Sequence, residues 1–267
     1  MSGLNHSSAK GTDEKLSRRF ESFLFRKELR YGVTAAQEIL VLLVKVRILV
    51  SQPIFIIMIE KKLGEHITLY NGDCLEYMKT LPEGYFDLAC VDPDFGLNEK
   101  ISQGGTWAAK YKGFDGALGG KPTQEYFEEL FRVSKNQIIW GGNYFIDMLY
   151  PTRCFLIWDK KARMDTLADC ELAWTSFDKN AKIFTQVRNT SEKRVHICQK
   201  PIVLYEWIFM NYANKGDKIL DTHLGSGSSA IAADKLGFEF VGLEINPTYF
   251  DNAVERVNNH ISQIRMF

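Results

Sequence analysis

Three residues in the stretch VDPDFG, Val91 to Gly96, are of the types needed to work on an amine. Asp92 brings a carboxylate, Pro93 a backbone carbonyl beside a ring-fixed φ, and Phe95 an aromatic face. The exocyclic amine of a nucleobase is a poor nucleophile because its lone pair is delocalised into the ring. Two acceptors on its hydrogens favour the pyramidal nitrogen whose lone pair is free to attack, and that stabilisation is concentrated in the transition state. Phe95 would stack on the base, which must leave a duplex before its amine can be reached. Without that chemistry, the same residues read as a strand ending in an Asp-Pro turn.

A second group reads as a nucleoside site. In ILDTHLGSGSSAIAADKLG a strand ends near Asp221, Gly225 and Gly227 permit tight turns around Ser226, and Ser228 or Ser229 is placed to cap the following helix. Twenty-three residues past Asp221, the strand FVGLE ends on Glu244, an acid suited to two ribose hydroxyls. Gly225, Gly227 and Ala230 also satisfy the GxGxx[GA] dinucleotide pattern, so NAD has to be weighed against S-adenosylmethionine. A dehydrogenase usually carries its nucleoside unit ahead of a substrate domain. Here the unit is the last in the sequence, which favours S-adenosylmethionine.

These segments together resemble the DNA amino-methyltransferases, in the group whose catalytic strand precedes the cofactor loop. VDPDFG is similar to that family's [DNS]PP[YF] motif, HICQKPIVLYEW to its HxxQKPxxL segment, DTHLGSGSSAIAA to its FxGSGT-like loop, and FVGLEINPTYFDNAVER to the strand and helix that follow. NGDCLE matches the family's GD turn, and IIWGGNYF and LIWDKK look like its central strands. The resemblance runs from about Gly64 to Phe267. It implies a three-layer α/β methyltransferase fold of Rossmann-like type, with a mostly parallel sheet and permuted motif order. It also implies methylation of a base amine in double-stranded DNA with S-adenosylmethionine as donor, as in restriction-modification systems, and no metal.

Carried over by residue, Asp92 and Pro93 would hold the amine and Phe95 would stack on the base. Gly225, Ser226 and Gly227 would line the methionine part of the cofactor, with Asp221 and Ser228 beside them. Glu244 would bind the ribose and Asp73 the adenine amine. Gln199 and Lys200 would border the cofactor's amino-acid end, although Lys200 reads equally as a solvated helix start. Adenine N6 is favoured over cytosine N4, because the family's cytosine enzymes more often show Ser where Asp92 stands. One departure is Asp94 in place of the second proline, which loosens the turn and sets a negative charge beside the incoming base.

The elements that must position these residues follow from periodicity. HITLYNGD is a short strand and turn, CLEYMKTL an amphipathic helix, and PEGYFDLACVDPDFG a turn and a buried strand. TQEYFEELFRVS is a helix with Thr123 as N-cap, NQIIWGGNYF is a strand with a glycine turn, and CFLIWDK and CELAWTSF are strands. PIVLYEWIFMNYAN is a buried helix opening at Pro201, and the remainder alternates strand, glycine loop, helix, strand, helix. Residues 96–120 carry seven glycines and read as a long loop, with Trp107, Lys110, Tyr111 and Lys112 available to DNA.

Composition narrows the partners. Lys+Arg and Asp+Glu are both 33 in 267 residues, so a polyanion would be met by a local patch and not a global field. Lys160, Lys161, Arg163, Lys179, Lys182, Arg188, Lys193 and Arg194 form one candidate patch for phosphates, and a solvated surface explains them as well. Five cysteines without a CxxC pair point to reduced thiols in a cytoplasm-like compartment and away from structural zinc. His196 has no partner at ligand spacing and reads as structural or cofactor-adjacent; Trp140, Trp158, Trp174 and Trp207 read as core. The apolar run Glu38 to Ile59 is interrupted by Lys45, Arg47, Gln52 and Pro53, which speaks against a membrane span. Residues 1–57 therefore read as an extension and 58–267 as the catalytic domain, monomeric or homodimeric. Two rival readings are a catalytically impaired protein that binds nucleic acid and cofactor, and an NAD-dependent oxidoreductase.

Overall fold

The computed structural model describes residues 46–49, 56–96, 120–161, 168–187, 195–196 and 198–264. The chain divides into two units, 1–47 and 48–267. Strand β1 (Val46–Leu49) spans their junction, and every element below belongs to the second unit. The long glycine loop with Trp107, Lys110, Tyr111 and Lys112, the basic residues Arg163, Arg188, Lys193 and Arg194, and most of the apolar run before Met58 lie outside the described residues.

The chain then runs β2 (Ile56–Leu63), β3 (Ile67–Asn71), α1 (Cys74–Lys79), β4 (Phe86–Val91), α2 (Gln124–Val133) and β5 (Ser134–Trp140). It continues through β6 (Phe155–Asp159), β7 (Cys170–Thr175), β8 (Lys182–Thr185), α3 (Ile202–Tyr212), β9 (Lys218–Asp221), α4 (Ser228–Leu236), β10 (Glu239–Glu244) and α5 (Pro247–Ile264). Local chemistry sets several of these boundaries. Asp73 caps α1 by accepting from the Leu75 and Glu76 amides, and Thr123 caps α2 through the Tyr126 amide, as its position predicts. Pro201 sits one residue ahead of α3, as its cap, with φ −64°.

From β2 onward the sheet order is β2-β3-β10-β9-β4-β5-β7-β6-β8. β3, β10, β9, β4 and β5 are mutually parallel, so their carboxyl ends lie along one edge. β9 leads through α4 to β10 on one side, while β4 leads through α2 to β5 on the other. The connections therefore diverge between β9 and β4, which opens the crevice where ligands bind in sheets of this kind. β7 runs antiparallel to β5, with Trp140 opposite Ala173, so the amino end of β7 arrives at that same edge. This is an α/β fold with a mixed, largely parallel sheet.

Alternating side chains feed two cores. Leu88 and Cys90 of β4 join α3, α4 and α5 on one face, and Ala89 and Val91 join α1 and α2 on the other, giving three layers. Trp140, Trp158 and Trp174 are buried, and Trp207 packs on the core from its margin. All five cysteines are free thiols. Three features depart from the sequence reading. Met58 lies inside β2 with 2% of its surface exposed, so the expected boundary at 58 falls within a strand. The segment KIFT, which carries Lys182 of the candidate phosphate patch, is strand β8. Past β5, Gly142–Tyr144 and Ile146–Met148 form short 3-10 turns on either side of Phe145.

Phe127 is fully buried between α2 and the sheet and its ring meets Phe145, which in turn meets Phe95. Phe127→Ala is expected to cost about 3–5 kcal/mol, read as a lower urea midpoint with unchanged slope.

Candidate active site

Parallel pairing brings the ends of separate strands together. β4 delivers Asp92, Pro93, Asp94 and Phe95, β9 delivers the loop from Thr222 to Ser228, β10 delivers Glu244, and the turn after β3 delivers Asp73. All of these elements contribute walls to one cavity of about 630 Å³. Of the expected cofactor residues, Asp73, Lys200, Gly225, Ser226, Ser228 and Glu244 line it; Gln199, Asp221 and Gly227 do not. Gln199 instead accepts from the Val195 amide and ties the approach to α3.

The glycine loop is built around carboxylates. Glu244 accepts from the Gly225 amide through Oε2 at 3.0 Å and from the Asn246 amide through Oε1 at 2.9 Å, which fixes the carboxylate at the cavity wall. Each of its oxygens keeps a further lone pair for a ligand hydroxyl. Gly225 has φ +51°, a region that favours glycine, and a side chain there would press on the His196 ring at 3.3 Å. Ser228 and Ser229 do not cap α4, whose N-cap is Gly227 without a side-chain bond. Their hydroxyls point elsewhere: Ser228 Oγ donates to the Lys200 carbonyl, and Ser229 Oγ to Asp221 Oδ2 at 2.6 Å. Asp221, 1% exposed, also accepts from the His223 amide, and so braces the loop from beneath. Burial pushes the Asp221 carboxyl up to about 7, helped by the Asp92 and Glu244 carboxylates.

His196 is buried against Tyr249, with ring centroids 4.4 Å apart, and its Nδ1 accepts from the Cys198 amide. Burial, with the Lys200 charge behind it, holds His196 down at about 4, so the ring is neutral at neutral pH. Burial likewise takes His223 to about 4. His196 thus stands beside the glycine loop as a structural wall. No grouping of three or more His, Cys, Asp or Glu suited to a metal occurs among the described residues.

Asp92 sits across the cavity. One of its oxygens, Oδ2, accepts from the Lys200 ammonium, which also reaches Glu171 Oε2 at 3.1 Å. Glu171 Oε1 in turn meets the Lys160 ammonium at 2.8 Å. Lys200 has 3% of its side chain exposed and lies over the Trp140 ring, which overturns the reading of a solvated helix start. The other oxygen, Asp92 Oδ1, is covered from solvent and has no hydrogen-bond partner among the described residues. Leaving a buried acceptor in that state costs about 1–3 kcal/mol, a cost that a bound donor would remove. Burial raises the Asp92 carboxyl, and Lys200 only partly opposes it. Burial also acts to raise Glu171, but there Lys200 and Lys160 prevail and hold it at about 2.

Phe95 is stacked on Tyr144 at 4.8 Å and 12°, with Gly141 at its side. A Cβ on Gly141, whose φ is +69°, would fall 2.0 Å from Phe95 Cε1. Asp94 answers the expected looseness of the turn: its Oδ1 accepts from the Gly96 amide and closes the bend where a second proline was anticipated.

Glu171 and Lys160 carry this site and were not anticipated in it; Lys160 was assigned to a phosphate patch. Their arrival depends on antiparallel pairing, with Asp159 opposite Cys170, which brings the end of β6 and the start of β7 together. The available signal was charge at the facing ends of two apolar segments, Asp159 and Lys160 in LIWDK and Glu171 in CELAW. Of the other basic candidates, Lys179 is engaged with Phe177, Tyr212 and the Asn211 carbonyl, while Lys161 is half exposed.

The glycine loop and the Asp-Pro-Asp-Phe strand end thus line one cavity at the carboxyl edge of an α/β sheet. The sequence model of the DNA methylase family matches residues 89–255, more than half of the chain, and the chain belongs to that N6/N4 family, whose methyl donor is S-adenosylmethionine. A stretch of 68 residues is 40% identical to the type II methyltransferase M1.MboII of Moraxella bovis, covering 26% of each chain. Over 74% of this chain and 86% of the relative, it is 24% identical to the type II methyltransferase M.ScaI of Streptomyces caespitosus. The PvuII DNA methyltransferase, described as cytosine-N4-specific, shares the fold with a TM-score of 0.53 at 13% identity, over 76% of this chain and 93% of that one.

Asp221 offers a pH test. Its folded-state value is raised above the ordinary carboxylate range, so its contribution to stability is full below about pH 4 and is lost as pH rises toward 7. Asp221→Asn is expected to match the wild type near pH 4 and to exceed it at pH 8 by on the order of 1 kcal/mol or more, measured by urea unfolding across pH. A difference that does not grow with pH contradicts the assignment.

Proposed function

We propose that this chain methylates the exocyclic amine of a base flipped out of double-stranded DNA, adenine N6 in preference to cytosine N4, with S-adenosylmethionine as donor. The observation that carries the proposal is Oδ1 of Asp92, covered and without a hydrogen-bond partner among the described residues, on a residue that lines the same cavity as the glycine loop and Glu244. The cavity lies within the range of known small-molecule sites, roughly 300–1,000 Å³, and its donor and acceptor set suits the nucleoside. Glu244 is poised for the ribose hydroxyls, Asp73 retains carboxylate capacity for an adenine amine, and Gly225 and Ser226 border the methionine arm. When bound, the cofactor supplies a methyl group made electrophilic by its sulfonium sulfur.

The protein's own part is orientation. Lys200 engages Oδ2 of Asp92 and leaves Oδ1 to accept one amine hydrogen. The Pro93 carbonyl would accept the other, and pairing both hydrogens draws the nitrogen lone pair out of the ring. The base stacks on the Phe95–Tyr144 pair, with Gly141 giving Phe95 room. Enclosure in the cavity strengthens each of these bonds by excluding water. Adenine is favoured because position 92 holds Asp where the family's cytosine enzymes more often hold Ser. The PvuII enzyme has the same fold with the other base, so the fold does not make this choice. The two type II relatives support a setting in restriction-modification.

Mass spectrometry of nucleosides from DNA of cells expressing the full chain tests the proposal. N6-methyldeoxyadenosine is expected with the wild type, and at least about a hundredfold less with Asp92→Ala. N4-methyldeoxycytidine would reverse the choice of base. Cofactor binding without any methylated nucleoside would favour the impaired binding protein, and binding of NAD in place of S-adenosylmethionine would favour the oxidoreductase.

A further inference from the structure

We propose that Glu171 is a positioning residue for this reaction: by sharing the Lys200 ammonium with Asp92, it aims Asp92 Oδ1 at the base amine and keeps that oxygen basic enough to take the departing proton. The inference rests on the methyl-transfer reading above and deepens it.

The geometry makes a chain of alternating charge, Lys160–Glu171–Lys200–Asp92, that begins at the end of β6 and finishes at the catalytic strand. Lys200 is nearly inaccessible and its charge has two claimants. A lysine side chain is flexible, with several rotamers and a rotating ammonium. Contacts to both carboxylates leave it one position, and that position ties Oδ2 and leaves Oδ1 for the substrate. Held by Asp92 alone, the ammonium could slide between the two oxygens and the acceptor would lose its direction.

The sharing also sets charge. In the reaction the amine nitrogen gains the methyl carbon, the electron pair of the broken carbon–sulfur bond stays on sulfur, and the nitrogen, now cationic, must release one of its two protons. Asp92 Oδ1, bonded to one of those hydrogens, receives it and later passes it to water. A carboxylate with a lysine to itself is a weak base; one that shares the lysine is stronger. Burial raises Asp92, Glu171 raises it further, and Lys200 pulls it down. The other groups facing it are Asp94 on its own turn and Asp221 on β9, with the neutral Cys90 and Tyr205. Among these, Glu171 is the acid bonded to the same cation.

Two substitutions at Glu171 and Lys160 push the balance in opposite directions. Glu171→Gln keeps the shape and gives Lys200 wholly to Asp92, so Asp92 titrates lower. Lys160→Met removes the cation that holds Glu171 from its other side, so Glu171 draws harder on Lys200 and Asp92 titrates higher. The Asp92 carboxyl is followed by carbon-13 NMR in the unliganded full chain, assigned by its loss in Asp92→Asn, and the acid limb of kcat against pH is measured in parallel. Displacements of roughly half a unit or more, opposite in sign for the two variants and matched by the acid limb, are expected. Glu171→Gln is also expected to lower kcat by about tenfold or more at neutral pH with the dissociation constant of S-adenosylmethionine unchanged. An unmoved Asp92 titration, shifts of the same sign, or a titration that moves without the acid limb would overturn the proposal. If Glu171→Gln fails to fold, the direction of Lys160→Met decides. A wild type that yields no methylated nucleoside is a separate result and removes the reaction, whereas the NMR titration still reports whether the carboxylates are coupled.

Discussion

The site depends on one ammonium group, that of Lys200, buried at the carboxyl edge of a sheet and claimed by two carboxylates. Burying a charge is costly, and a buried ion pair commonly does no more than repay its own desolvation. Such a cluster is therefore poor evidence of stability and better evidence of a site that needs a fixed field. Here the field has a direction: it engages one oxygen of Asp92, and the other remains covered and unpartnered among the described residues. Orphaned acceptors of this kind call for an explanation, and a substrate donor supplies one.

Topology is what makes the cluster possible. The parallel strands set Asp92, the glycine loop and Glu244 along one edge because β4, β9 and β10 all end there. The antiparallel insertion of β7 beside β5 brings an amino end to that edge, carrying Glu171, and β6 brings Lys160 with it. The Gly141 amide, bonded to the Leu172 carbonyl at 2.8 Å, joins the turn beneath Phe95 to the strand that holds Glu171. The aromatic face and the charge chain are thus parts of one local framework.

Much of this was legible in the sequence where a pattern was local. The strands and helices from β3 to α2 and from α3 to α5 announced themselves by apolar period and by caps such as Thr123, and the glycine loop and Asp92 by composition in a fixed order. Long-range pairing was illegible. Ser228 and Ser229 look like helix caps in sequence, yet their hydroxyls serve Lys200 and Asp221, groups 28 and 8 residues away. Lys200 looks like a solvated helix start because nothing nearby in sequence reveals that Asp92, 108 residues earlier, claims it. Glu171 was invisible as a site residue since only the register of β7 against β5 and β6 places it there. The charged residues around β2 hid a strand whose partner, β3, covers one side of it.

The most direct measurement is a crystal structure of the full chain with a duplex containing its target base and a non-transferable cofactor analogue. The account predicts the flipped base's exocyclic nitrogen within about 2.7–3.2 Å of Asp92 Oδ1, while Oδ2 still accepts from Lys200 and Lys200 still meets Glu171. An amine bonded to Oδ2, with Lys200 turned away and Oδ1 left without a donor, would contradict it.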